Sequence, residues 1–276
     1  MIDRNELIEV VTRQVLATLA GQHTDQGLEN APQVVASGAA RIGYCGNGAD
    51  VPQGLAEYID HTLLRPDASP DEIDRLCDEA IEYSFAAVCI NPCWVARASR
   101  RLRAARITVA SVVGFPLGAN TPEIKAMETR RALRDGAREI DMVINVGALK
   151  GGEHELVQKD IAGVSDACSE VGALNKVIIE TAFLTDEEKV IACRLAKAAR
   201  AHYVKTSTGF GPGGATVFDV ALMREVVGEK MGVKAAGGIH TAAEVREMIT
   251  AGATRIGASA GVRIVSGEEG ESGESY

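Results

Sequence analysis

The 276-residue chain has no apolar run approaching the roughly 18 residues of a membrane-spanning helix, so no such anchor is expected. It is also short of positive charge. With 29 Lys and Arg against 38 Asp and Glu, the net charge is −9, which argues against a phosphate backbone as its main partner. Arg97, Arg100, Arg101, Arg103 and Arg106 do crowd one stretch, but at mixed helical spacing, which reads as a solvated helix face. Metal-ligand spacing is missing too. The five histidines are scattered, and Cys89 and Cys93 form C-x3-C with no second pair, so no metal is expected. The six cysteines (Cys45, Cys77, Cys89, Cys93, Cys168, Cys193) are dispersed and no signal peptide precedes them, so reduced cytoplasmic thiols are expected. Lysine is scarce, nine against 20 arginines, so a lysine inside an apolar strand is hard to ascribe to chance.

Short apolar runs alternate with helical stretches from Tyr58 onward. They are YIDHT (58–62), AAVCI (86–90), ITVASVVG (107–114), EIDMVIN (139–145), KVIIET (176–181), YVKTST (203–208), GVKAAGG (232–238) and TRIGASA (254–260). Helix-start signals fall between them. Ser69-Pro70-Asp71-Glu72 offers a cap with proline at the first helical position, and Thr185…Glu188 and Thr241…Glu244 fit the capping box. Near-continuous apolar strands separated by helices indicate a parallel sheet covered on both faces. Eight such units predict an α/β fold, a (β/α)8 TIM barrel over residues 55–266, with a doubly wound open sheet as the rival. In a barrel, chemistry is expected at the C-terminal ends of the strands.

Two lysines interrupt apolar strands there, Lys205 in HYVKTSTG and Lys234 in GVKAAGG. Inward-facing ammonium groups on neighbouring strands are disfavoured by desolvation and by mutual repulsion. Both effects predict that at least one lysine pKa is depressed, leaving an amine able to attack a carbonyl. The bland alternative is that the lysines snorkel to the rim or point outward. Asp141, in REIDMVIN, lies on an even-numbered strand like Lys205, so the two share a barrel layer and the carboxylate can steady a charged lysine or relay protons. A structural ion pair is the alternative for Asp141. Asp60 in YIDHT is a weaker candidate, with a structural hydrogen-bonding role equally open.

Glycine-rich sequence follows strands six, seven and eight: TGFGPGG (208–214), AGG (236–238) and IGASAG (256–261). Loops after strands seven and eight are the usual phosphate site of a barrel, and backbone N–H groups of Gly237, Gly238, Gly257 and Ser259 could hold a phosphate dianion. The same residues also read as ordinary turn glycines. Gly209, Gly211 and Gly214 match G-x-G-x-x-G, but Pro212 interrupts and no acid follows at the required distance, so no dinucleotide is expected.

Taken together, IDHTLLRP (59–66), AAVCINP (86–92), VVGFPLGANTPEIKAMETRRALRDGAREIDMVINVGALKGG (112–152), KVIIETAFLT (176–185), YVKTSTGFGPGGAT (203–216), GVKAAGGIH (232–240) and RIGASAG (255–261) resemble the deoxyribose-phosphate aldolase family. The resemblance implies a class I aldolase that reversibly cleaves 2-deoxy-D-ribose 5-phosphate to D-glyceraldehyde 3-phosphate and acetaldehyde, without metal or organic cofactor. It implies Lys205 as the Schiff-base lysine, Lys234 as the second lysine and Asp141 as the relay aspartate. Gly237, Gly238, Gly257 and Ser259 fall at the phosphate site, with Thr206 and Gly209 as further substrate-binding positions. Asp60, Cys89 and the terminal Tyr276 are accessory positions, and relatives of this kind are often homodimers. The rival functions are another class I aldolase or transaldolase with a ketone donor, or a catalytically silent scaffold.

The resemblance leaves the N-terminal residues unexplained. Leu7, Ile8, Val11, Val15, Leu16 and Leu19 recur at three- and four-residue spacing, which predicts an amphipathic docking helix over residues 1–20, closed by Gly21. Residues 21–54, rich in Gly, Ala, Gln and Asn, read as a flexible linker. The helix carries a net charge of −1, the wrong sign for a transit peptide or a membrane anchor. Its apolar face needs a partner. That partner is either the enzyme's own barrel or second subunit, or another protein. The extension resembles the encapsulation peptides of bacterial microcompartments, which implies a shell protein as partner and a compartment lumen within the cytoplasm as location. At the other end, residues 267–276 hold four Glu and no base and are expected to form an acidic mobile tail.

Overall fold

The structure is a computed structural model that describes residues 54–105 and 107–267. The helix expected over 1–20, most of the linker expected over 21–54, the tail beyond Gly267 and Tyr276 lie outside the described residues. Eight parallel strands close in sequence order: β1 (Ile59–Leu63), β2 (Ala87–Ile90), β3 (Thr108–Val113), β4 (Glu139–Val143), β5 (Leu174–Ile178), β6 (Tyr203–Lys205), β7 (Gly232–Ala236) and β8 (Arg255–Ala258). Closure is direct. Ile59, Asp60 and His61 of β1 pair with Ile256, Gly257 and Ala258 of β8, which removes the open-sheet alternative. Apart from β1, the strands are shorter than the apolar runs that announced them, because the last residues of most runs already turn into the C-terminal loops.

The outer layer consists of α1 (Pro70–Tyr83), α2 (Val95–Arg101), α3 (Pro122–Asp135), α4 (Val146–Lys150), α5 (His154–Ser169), α6 (Asp186–Ala198), α7 (Val217–Val227), α8 (Ala242–Ala251) and α9 (Gly261–Ser266). Three of these helices begin where the sequence signals them. Ser69–Glu72, Thr185–Glu188 and Thr241–Glu244 each form a reciprocal capping box, in which the hydroxyl and the carboxylate satisfy orphan backbone donors. Each cap contributes about 1 kcal/mol. Ile73, Leu76, Cys77 and Ala80 of α1, and Val157, Ile161, Val164 and Cys168 of α5, form the stripes buried against the strands.

Two arginines of the cluster are tied to the neighbouring helix. Arg97 donates twice to Asp74 at 2.7 and 2.8 Å, and Arg101 twice to Asp78 at 2.6 and 2.8 Å, so α2 is stitched to α1. Beneath the surface, Lys125 of α3 pairs with Asp160 of α5 and donates to the Val143 carbonyl at 2.8 Å. That buried pair pins the C-terminal end of β4, two residues beyond Asp141.

Candidate active site

The barrel interior is filled by charge rather than by aliphatic layers alone. Asp60 on β1, Glu139 and Asp141 on β4, Lys176 on β5, Lys205 on β6 and Lys234 on β7 are all buried, and Arg255 on β8 is nearly so. Register puts Lys205 beside Lys234 and Asp141 beside Lys176. Asp141 is the hub. Its Oδ1 accepts from Lys176 at 2.8 Å, and its Oδ2 accepts from Lys205 at 2.9 Å and from Lys234 at 2.7 Å. Lys234 also donates to Asp60 at 2.5 Å, and Arg255 ties Asp60 (2.6 Å) to Glu139 (3.2 Å). Lys176 makes a further contact with Glu139 at 2.5 Å.

Four cations therefore face three carboxylates, and they are unequally served. Lys176 contacts three carboxylates and Lys234 two, whereas Lys205 contacts Asp141 alone. Lys205 is also the last residue of β6, at the C-terminal mouth, with 3% of its side chain exposed against 0% for the other two lysines. Burial opposes ionisation of Asp141, but Lys176, Lys205 and Lys234 outweigh it and hold the carboxyl well below its ordinary value. Burial likewise opposes the Lys234 ammonium, yet Asp141 and Asp60 raise its pKa above the ordinary lysine value. The expected depression of a lysine pKa thus fails at Lys234, because two carboxylates more than cancel the repulsion between neighbouring amines. Cys89 lies in the same space, its Sγ 3.9 Å from Asp141 Oδ2. Burial pushes its thiol pKa up, which keeps the sulfur neutral.

The glycine-rich segments divide into different roles. Gly237 (φ +92°) and Gly238 (φ +73°) follow β7 directly, in backbone conformations that favour glycine. Gly257 belongs to β8 itself, paired with both Asp60 and Ala236, and does not lie in the loop beyond. A Cβ there would sit 3.0 Å from Lys234 Cε, so this glycine makes room for the lysine. Ser259 is exposed just past β8. The Thr206 hydroxyl is committed to β7, accepting from Ala236 N–H at 3.1 Å and donating to Ala236 O at 3.0 Å.

A cavity of about 290 Å³ opens beside the mouth, lined among others by Val143, Lys150, Glu180, Phe183, Thr208 and Phe210. Four charged residues escaped the sequence reading: Glu139, Lys176, Arg255 and Glu180. The first three stand at or near the start of apolar runs and read there as polar flanks.

Comparison with known proteins agrees with this geometry. Residues 55–267 match the DeoC/LacD family aldolase model. A deoxyribose-phosphate aldolase of Enterococcus faecalis is 60% identical over 217 residues, 79% of this chain and 98% of the relative. One from Thermococcus gammatolerans is 60% identical over 215 residues, 77% of this chain and 96% of the relative. A tetrameric deoxyribose phosphate aldolase structure from Aeropyrum pernix superposes with a TM-score of 0.73 at 30% identity, covering 84% of this chain and 95% of that one. A closed parallel barrel with amines and carboxylates meeting at its mouth is, in this company, an aldolase, a carbon–carbon lyase. The chain belongs to the DeoC/LacD aldolase family.

Proposed function

We propose that the protein reversibly cleaves 2-deoxy-D-ribose 5-phosphate to D-glyceraldehyde 3-phosphate and acetaldehyde through a Schiff base on Lys205. The observation that carries this reading is the Asp141 carboxylate shared between Lys205 and Lys234, with Lys205 the outermost and least paired amine. The free-base Lys205 amine adds to the C1 aldehyde, and loss of water gives an iminium. Asp141, ionised and 2.9 Å from Lys205 Nζ, stabilises that cation. The C2–C3 bond then breaks, its electron pair forming the C1=C2 double bond while the C1=N π pair returns to nitrogen to give an enamine, and the C3 hydroxyl proton passes to a water beside Asp141. Glyceraldehyde 3-phosphate departs. Lys234, held as an ammonium, and Asp141 relay that proton back to C2 by way of water, and hydrolysis of the new iminium frees acetaldehyde and the amine. Gly237, Gly238, Gly209 and Ser259 are the proposed phosphate side of the site, with Gly257 serving it indirectly through Lys234. The direct test is product analysis. Acetaldehyde should appear from 2-deoxyribose 5-phosphate and not from ketose phosphates; cleavage of a ketose phosphate without acetaldehyde would assign the barrel to a ketone donor, and cleavage of neither to a scaffold.

The N-terminal residues belong to the same proposal as a docking segment for a microcompartment shell protein. Its support is the apolar stripe over residues 1–20, together with a family match that begins only at residue 55. Confinement suits a reaction that releases a volatile, reactive aldehyde. Deleting residues 1–50 should leave aldolase activity within about twofold and abolish recruitment to shells, since the family match survives intact. Residues 1–20 fused to a fluorescent protein should suffice for recruitment. A truncated enzyme that misfolds, or a fusion that stays diffuse beside assembled shells, returns the helix to the enzyme's own fold.

A further inference from the structure

Glu180 follows β5 in a conformation that side-chain-bearing residues rarely adopt, φ 55° and ψ 67°. Two backbone bonds hold it there: Ile179 N–H donates to Lys205 O and Thr181 N–H to Thr206 O, each at 3.0 Å. The residue is thus a left-handed kink braced on either side against the nucleophile's own strand. Its side chain turns inward and the residue is only 3% exposed. The carboxylate accepts the Thr208 N–H at 3.2 Å and the Thr208 hydroxyl at 2.5 Å. Thr208 Oγ1 in turn accepts the Phe210 N–H at 3.0 Å, and a Cβ on Gly211 would approach the Glu180 carboxyl to 3.1 Å. The chain from 208 to 211 is wrapped around this one acid. The far end of the same loop rests on the other glycine turn. Ala215 N–H donates to Gly237 O at 3.0 Å, and a Cβ on Gly214 would lie 2.3 Å from that oxygen.

A turn needing only a left-handed residue would take glycine, and a buried carboxylate is costly unless it is fully bonded. Keeping both at one position calls for a purpose, and such outliers cluster at functional sites. We propose that Glu180 is a positioning residue that fixes the span between the Lys205 amine and the phosphate-side glycines, and so sets the preference for a 5-phosphorylated over an unphosphorylated sugar. The inference rests on the aldolase reading above. C1 and the 5-phosphate are opposite ends of one substrate, so affinity for both ends depends on the distance between their two anchors. Glu180 is braced against one anchor and clasps the loop that lies on the other. Burial raises its pKa, opposed by the Thr208 bonds and the Lys205 charge.

The test compares kcat/KM for 2-deoxyribose 5-phosphate and for 2-deoxyribose in the full-length enzyme. Glu180→Ala should lower the ratio of the two by about tenfold or more, chiefly through KM for the phosphorylated sugar. Glu180→Gln, which keeps one acceptor oxygen, should fall between. Thr208→Val, which removes the hydroxyl and leaves the N–H, should lower the ratio a few-fold and decides the matter should Glu180→Ala not fold. Equal losses on both sugars, or an unchanged ratio, overturn the proposal. A wild-type enzyme that releases acetaldehyde from neither sugar overturns the aldolase reading and this inference with it, and is distinguished at once because no variant is needed to see it.

Discussion

Lys205→Met should lower kcat by at least about a thousandfold while leaving the melting temperature unchanged or higher. The loss of rate follows from loss of the covalent intermediate. The retained stability follows from the charge inventory of the barrel. Removing Lys205 leaves Lys176, Lys234 and Arg255 facing Asp60, Glu139 and Asp141, and Asp141 keeps partners at 2.7 and 2.8 Å. Borohydride added with substrate should leave a reduced adduct on the peptide bearing Lys205 in the wild type and none in the variant. An adduct on Lys234 in the wild type would transfer the nucleophile's role to that residue.

Lys234→Met should behave differently, losing activity and stability together. Lys234 is fully buried between Asp60 and Asp141, and its raised pKa means that the fold favours its charged form. A pKa raised on folding stabilises at every pH below the ordinary lysine value of 10.5, and that contribution fades only as the pH rises through the higher folded value. Asp60 and Asp141 have the opposite sign. Lowered on folding, they stabilise above the ordinary carboxylate value of 3.8, and the contribution fades as the pH falls through their folded values. The variant should therefore unfold about 3–5 kcal/mol more easily in denaturant titrations throughout the neutral range, the usual cost of breaking a buried pair from one side. A variant as stable as the wild type would show that Lys176, Lys205 and Arg255 neutralise the two carboxylates without it.

Much of this site could be read before any coordinate was known, because lysine and aspartate break an apolar strand visibly. Lys205, Lys234 and Asp141 were found that way and meet within 3 Å. Ser69, Thr185 and Thr241 were legible as caps because capping is a local bargain between residues three apart. Reading failed where the deciding interaction is distant in sequence. Glu139 and Arg255 look like strand flanks until β4 and β8 are folded to the same end of the lumen. Gly257 looks like a loop residue until closure of β8 on β1 shows the lysine that occupies its side-chain space. The left-handed backbone of Glu180 leaves no local trace, since it is imposed by bonds to Lys205 at the end of β6 and to Thr206 just beyond it.

The charges proposed to carry the reaction all ride on strands, whereas Leu117, Phe183 and Phe210 stand exposed on the rim around the cavity. That separation amounts to a division of labour. The proposed bond-breaking machinery is held in a hydrogen-bonded lattice in which Asp141 is shared by three amines, so a change there alters the surroundings of several groups at once. The three rim side chains are apolar and carry no charge into that lattice. New acceptor aldehydes can be accommodated there one side chain at a time, by reshaping an apolar doorway over an unaltered reaction, and a search for broadened substrate range should begin at those three positions.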